Sequence, residues 1–236
     1  MHLSDYQTSS KLAYLAGCYE DRRLQSAPSS FKAHVGRFVC GDKVLVVKSY
    51  DHAHPLLRAT VCRILLSREI NALERLQGVP GVPEFYGRHG RYGLAMAVIN
   101  GRHPDRRDPG SWAGIDSQLA RSVSLLHHHG VTHNDLRLRN MMIDTRGKLY
   151  LIDYASVHFR PKGRGPLSLL GKFLFSKLVL TDRAKVLRLR IQFAVAEDPP
   201  SAEELQLLLR ANRLRVCTRL WKRYVAPLLS NKFNRV

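Results

Sequence analysis

The chain has 236 residues, 44% of them hydrophobic, and its 38 basic against 19 acidic side chains give a formal net charge of +19. That length is enough for a sizeable core, and the composition is that of a globular chain rather than a disordered one. No run of apolar residues is long enough to span a bilayer as a helix, and the basic excess favours anionic partners.

The charge is uneven. From Ser156 to Val236 there are 17 Lys and Arg against five Asp and Glu, a net +12. Nucleic acid, an anionic membrane surface or a phosphorylated substrate would each suit such a segment, and so would a plain solvated helix face. Cys18, Cys40, Cys62 and Cys217 form no C-x-x-C pair. Neither a zinc site nor a disulfide framework is therefore expected, and a reducing cytoplasm fits.

In chain order, residues 1–28 read as a polar leader with a short helix over Lys11–Glu20. Residues 29–50 read as strands, with a turn at Cys40–Lys43 and an apolar strand, Val44–Val47, closing on Lys48. Leu65, Leu66, Ile70, Leu73 and Leu76 recur at helical spacing and predict a helix over 57–77. It carries two carboxylates, Glu69 and Glu74, which five residues of separation turn to different faces. Pro80 and Pro83 end it. Phe85–Tyr86 and Leu94–Ile99 read as strands, the second carrying Met96. A Gly-, Pro- and Arg-rich loop over 101–114 leads to a helix, Ile115–His129, stopped by Gly130.

The stretch from Gly130 to Val157 carries the most chemistry: GVTHNDLRLRNMMIDTRGKLYLIDYASV. His133, Asp135 and Asn140 fall in the order H-x-D-x-x-x-x-N, and Asp153 follows the apolar run Leu149–Ile152. Between them Met141–Ile143, a polar turn at Asp144–Lys148 and KLYLID predict a hairpin. Such a layout suits phosphoryl transfer. Asp135 would orient an acceptor hydroxyl and take its proton, Asn140 and Asp153 would offer oxygens to Mg²⁺, and Arg137 would place positive charge beside the transferring phosphate.

HNDLRLRN resembles the H-R-D-x-x-x-x-N catalytic loop of protein kinases, and Asp153-Tyr154-Ala155 resembles the D-F-G position. The strand ending in Lys48 is similar to the kinase V-A-I-K position, and EINALERL, opening on Glu69, to the helix that supplies the lysine's carboxylate partner. The resemblance implies an α+β, two-lobed protein-kinase-like fold: a β-rich N-lobe over 29–100 and a reduced helical C-lobe over 101–236. It implies ATP and Mg²⁺ as cofactors. Lys48, held by Glu69, would bind the α- and β-phosphates. Met96 would line the adenine pocket, with Val98 offering backbone groups to the base. No G-x-G-x-x-G motif is present; Ser29 and Ser30 stand where a phosphate-binding turn would be needed.

There is no A-P-E motif after Asp153. The short basic tail resembles the atypical kinases, the RIO family or the bacterial lipopolysaccharide kinases. The expected function is transfer of the γ-phosphate of Mg-ATP to a hydroxyl of a protein Ser/Thr, with a lipopolysaccharide core sugar as the alternative acceptor and a pseudokinase binding module as the alternative class. The expected location is cytoplasmic, with peripheral attachment to an anionic inner-membrane surface through the basic C-terminal region, and nucleic acid a weaker candidate partner.

Beyond this stretch, residues 164–180 are strongly apolar with Lys172 and Lys177 inside, and read as a core helix or an interfacial membrane segment. Thr181 is expected to cap a separate helix. Ser201 and Glu204 have capping-box spacing for the last one, whose Arg210, Arg213, Arg215 and Arg219 make it strongly basic.

Overall fold

The computed structural model describes residues 19–25, 32–40, 42–108, 112, 114–193 and 201–220. The chain divides into two compact units, residues 1–159 and 160–236.

The first unit opens with five strands: β1 (Tyr19–Gln25), β2 (His34–Cys40), β3 (Lys43–Ser49), β4 (Phe85–His89) and β5 (Gly93–Ala97). They form one antiparallel sheet in the order β1-β2-β3-β5-β4. β1 thus draws Tyr19 and Glu20 into a strand. The leader helix expected over Lys11–Glu20 does not extend to them, and its other residues lie outside those described. The sequence YEDRRLQ offers no apolar alternation because β1 is an edge strand, where charge blocks further pairing.

Central β3 alternates as a half-covered strand should. Leu45 and Val47 are buried on one face with Cys40 and Ala95, and Phe38 and Tyr86 pack against them. Lys48, one residue out of phase, is placed on the opposite face. Cys40 is disulfide-bonded, against the expectation drawn from cysteine spacing.

Helix α1 (Arg63–Arg75) is entered through a short turn, Pro55–Leu57, and a π-helical stretch, Arg58–Cys62. Its buried face comprises Leu66, Glu69, Ile70, Ala72 and Leu73, while Glu74 is exposed. α2 (Ile115–His128) buries Leu119, Val123 and Leu126, and Gly130, with φ of 68°, turns the chain out of it.

The predicted hairpin is present as β8 (Met141–Asp144) and β9 (Leu149–Leu151), with Met141 opposite Leu151 and Ile143 opposite Leu149. Its turn is organised by Asp144, whose Oδ1 accepts the N–H groups of Arg146 (2.8 Å) and Lys148 (2.9 Å). Gln118 of α2 clamps the same turn, accepting from Leu149 N and donating to Gly147 O, both at 2.9 Å. A third strand, β6 (Gly101–Arg102), joins β8, and at Gly101 a Cβ would collide with the Ile143 carbonyl. A two-stranded pair, β7 (Val131–Thr132) with β10 (His158–Phe159), brackets the stretch.

In the second unit α3 (Pro166–Gln192) runs unbroken through Thr181. The expected helix start there is not made, because the Thr181 hydroxyl donates back to Lys177 O at 3.0 Å, a bond compatible with a helix interior. The Ser201–Glu204 capping box is formed at the head of α4 (Ala202–Leu220): Glu204 N donates to Ser201 Oγ at 3.2 Å and Ser201 N to Glu204 Oε2 at 2.9 Å. The architecture is α+β with a sheet-rich part and helices, as a protein-kinase-like fold requires.

Because Asp144 holds the hairpin turn through two charge-assisted bonds, Asp144→Ala is expected to lower stability by about 1 kcal/mol, read as a shift in the urea midpoint without a change in slope.

Candidate active site

The sheet, α1 and the hairpin each deliver one charged side chain to a single point. Lys48 Nζ donates to Glu69 Oε1 at 3.0 Å and lies 2.7 Å from Oε2, and it donates to Asp153 Oδ1 at 2.8 Å. Glu69 is 1% exposed and Asp153 43%. The two carboxylates therefore differ in kind: one is an interior anchor and the other faces solvent.

Burial alone would push the Lys48 ammonium down, but the charges of Glu69 and Asp153 outweigh it and hold its pKa above the ordinary lysine value. Burial raises Glu69, with Lys48 opposing; the backbone N–H of Tyr154 also donates to this carboxylate. Burial would raise Asp153 as well, yet Lys48 dominates and its pKa falls below the usual aspartate value. Tyr50, beside the cluster, is pushed up to about 12, chiefly by burial.

The second group is built on the loop after β7. Arg137 Nε lies 2.6 Å from Asp135 Oδ1, and Arg139 Nη2 is 3.9 Å from Oδ2. Asn140 Nδ2 donates to Asp135 O at 2.8 Å and to Asp135 Oδ2 at 3.0 Å. Both partners are acceptors only, so the amide orientation follows from them, and Asn140 Oδ1 is left as an acceptor. Asn140 O in turn accepts from Ile152 N at 2.9 Å, tying this loop to the strand end that bears Asp153.

Two oxygens of the required kind are thus present for Mg²⁺: Asn140 Oδ1 and the solvent-facing Asp153 carboxylate. Among the described residues no cluster of three His, Cys, Asp and Glu could hold a metal. A two-residue oxygen set completed by phosphate and water is the usual arrangement for Mg²⁺, so the residues fit that ion.

Among the described residues, Asn134 (φ 62°) and Asp153 (φ 65°) are the non-glycine residues with positive φ, and both belong to this site. Such backbone is held only when neighbours over-determine it. Asn134 Nδ2 donates to Thr132 Oγ1 at 2.9 Å and Ser156 O at 3.2 Å, and lies 3.0 Å from His158 Nδ1. The Asp153 carboxylate accepts the Ala155 N–H. His133 is fully buried, its Nε2–H donating to Ile152 O at 3.2 Å, with its ring 5.2 Å from that of Tyr154.

Of the residues expected at the site, Lys48, Glu69 and Asp153 form one cluster, and Asp135, Arg137 and Asn140 another. Met96 is buried on β5 and Val98 follows that strand half-buried. Ser29 and Ser30 lie outside the described residues. The sequence reading did not single out Asn134 or Tyr50. Asn134 carried a usable signal, since Asn tolerates the left-handed region better than most residues; Tyr50 carried none.

Two outcomes follow from these contacts. The Tyr154 hydroxyl is buried without a hydrogen-bond partner among the described residues, so Tyr154→Phe is expected to raise the unfolding free energy by about 1 kcal/mol; a loss of stability in urea titration would contradict this. Asp153, with its lowered pKa, contributes stability above the ordinary aspartate value of 3.8 that is lost as pH falls through the folded-state value. Melting temperatures of the wild type and Asp153→Asn should therefore differ at pH 6 and converge only once pH has fallen below the depressed folded-state value.

No family model matches the chain. Part of it is similar to CBL-interacting protein kinase 4 of Oryza sativa subsp. japonica, 30% identical over 151 residues, covering 59% of this chain and 33% of that protein. CBL-interacting serine/threonine-protein kinase 7 of Arabidopsis thaliana is 28% identical over 150 residues, 59% of this chain and 34% of its own. Probable SapB synthase of Streptomyces coelicolor is 30% identical over 142 residues, 50% of this chain and 15% of its own. The chain spans about a third of the length of the two plant relatives. None of these three carries a RIO or lipopolysaccharide-kinase name. Low and partial as they are, the likenesses to protein kinases support a place for this chain in the protein-kinase-like superfamily.

Proposed function

We propose that the chain transfers the γ-phosphoryl group of ATP to an acceptor hydroxyl. The observation that carries this reading is the buried Lys48 ammonium, shared between Glu69 and Asp153. It sets a fixed cation beside a carboxylate that faces solvent.

Lys48, with its stem fixed on β3, would neutralise the α- and β-phosphates. Mg²⁺, when bound, would neutralise charge on the β- and γ-phosphate oxygens. Asn140 and Asp153 would hold that ion. Asp135 is oriented by Asn140 Nδ2 and would accept the hydroxyl proton. As the hydroxyl oxygen bonds to the γ-phosphorus, the bond from phosphorus to the β–γ bridging oxygen breaks and ADP leaves. The exposed Arg137 would turn from Asp135 towards the transferring group.

A protein serine or threonine is the acceptor this reading favours, supported by the similarity to a plant protein named as a serine/threonine-protein kinase. The RIO-like subtype rests on the basic residues after Asp153 and the missing A-P-E motif alone. A lipopolysaccharide core sugar is the competing acceptor.

The experiment is incubation with γ-labelled ATP and Mg²⁺, offering generic protein substrates and purified lipopolysaccharide in parallel. Label is expected in protein. Asp135→Asn should reduce its rate by about 10²–10⁴-fold while nucleotide still protects the protein against thermal unfolding. Lys48→Met should weaken that protection. Label in lipopolysaccharide alone would overturn the acceptor assignment. Nucleotide binding without any transfer would mark a pseudokinase.

A further inference from the structure

The first turns of α3 present an apolar surface that the described structure leaves uncovered. Leu167 is 86% exposed, and Leu169, Leu170, Phe173 and Leu174 are each more than half exposed. At 100° per residue these five fall within about half the helix circumference, while Phe175, on the other side, is buried. Single exposed leucines need no explanation, but a contiguous set of this kind marks an interaction surface.

Charge identifies what the surface would meet. Between Asp153 and Asp182 there is no acidic residue and there are five basic ones: Arg160, Lys162, Arg164, Lys172 and Lys177. Three of them immediately precede the helix. Lys172 is drawn back over the helix start, its Nζ donating to Gly163 O at 2.7 Å. The Lys177 ammonium lies 4.8 Å from the centre of the Phe173 ring, so its stem follows the apolar face while its charge remains at the edge. Apolar side chains bordered by long cationic ones are suited to an interface where hydrocarbon meets anionic headgroups.

A second copy of the chain fits less well, because a self-complementary contact would bring these cations together. No helix among the described residues is long and apolar enough to cross a membrane, so the contact would lie in the membrane surface and not through it.

We propose that the start of α3, Leu167–Leu174 with its flanking Lys and Arg residues, docks onto the surface of an anionic lipid bilayer. The basic side chains bring the helix to the headgroups and the leucines and Phe173 enter the acyl boundary. This narrows the general basic character of residues 156–236 to one helix end. It does not depend on phosphoryl transfer, since its readout is binding.

The test is co-sedimentation of the full chain with vesicles of phosphatidylcholine alone or mixed with phosphatidylserine. Binding is expected to the mixed vesicles and to weaken as salt is raised. Lys162→Gln with Arg164→Gln should weaken it about 25-fold, taking roughly fivefold for each cation near an anionic surface. Leu170→Glu with Phe173→Glu should abolish it. Circular dichroism would show both variants folded, as changes at exposed positions permit. Three results would overturn the proposal: equal binding to neutral vesicles, binding that both variants retain, or no vesicle binding at all. Under the last, a dimer in sedimentation velocity that Leu170→Glu with Phe173→Glu dissolves would assign the surface to a second copy instead.

Discussion

An ammonium group removed from water is unfavourable unless opposite charge meets it at close range. Lys48 is met twice, by Glu69 and by Asp153, and each partner comes from a different element. β3 presents the cation, α1 the buried carboxylate, and the end of the β9 hairpin the solvent-facing one. Shifting any of these elements by the width of a side chain would leave charge buried and unmatched. One interaction thus fixes the mutual positions of sheet, helix and hairpin in the first unit. It also divides the labour of the two carboxylates. Glu69, raised by burial, depends on Lys48 to remain ionised. Asp153, lowered by Lys48, stays an anion with an exposed face.

The backbone supports the same arrangement by less favourable means. Positive φ at Asn134 and Asp153 costs on the order of 1–3 kcal/mol each. At Asn134 the outlay is offset by side-chain donation to Thr132 and Ser156; at Asp153, by the Ala155 N–H and Lys48. His133 joins the two strained points through Ile152 O. Strain flanking a buried imidazole keeps Asp135 and Asp153 aimed in defined directions.

Much of this was legible in the residues. The β8–β9 hairpin was announced by apolar runs around a polar turn, α1 and α2 by their periodicity, and α4 by its capping box. Lys48 and Glu69 could be paired from sequence because a cation closing an apolar strand requires a partner, Glu69 and Glu74 lie on different faces of α1, and the resemblance of EINALERL to the kinase helix points to Glu69. Four features were not readable, each for a physical reason. β1 is an edge strand whose charged residues carry no burial pattern. Thr181 has the chemistry of a helix cap, but its hydroxyl can equally bond backwards and let α3 continue. The leucines of residues 164–180 have the composition of a core helix, and composition does not say which elements will cover them. Positive φ at Asp153 was likewise hidden, since a carboxylate at a strand end ordinarily continues extended.

The Lys48–Asp153 contact joins residues 105 positions apart. Closing so long a loop forfeits chain entropy before the contact returns anything, and contacts of that separation form slowly. β2–β3 and β8–β9 can each pair locally, but neither hairpin alone brings the ammonium to its second carboxylate. The site therefore comes into being only when the whole first unit has closed. A partly folded chain would hold the correct hairpins without the Lys48–Glu69–Asp153 cluster, so the cluster and the fold of the first unit are acquired, and lost, in the same step.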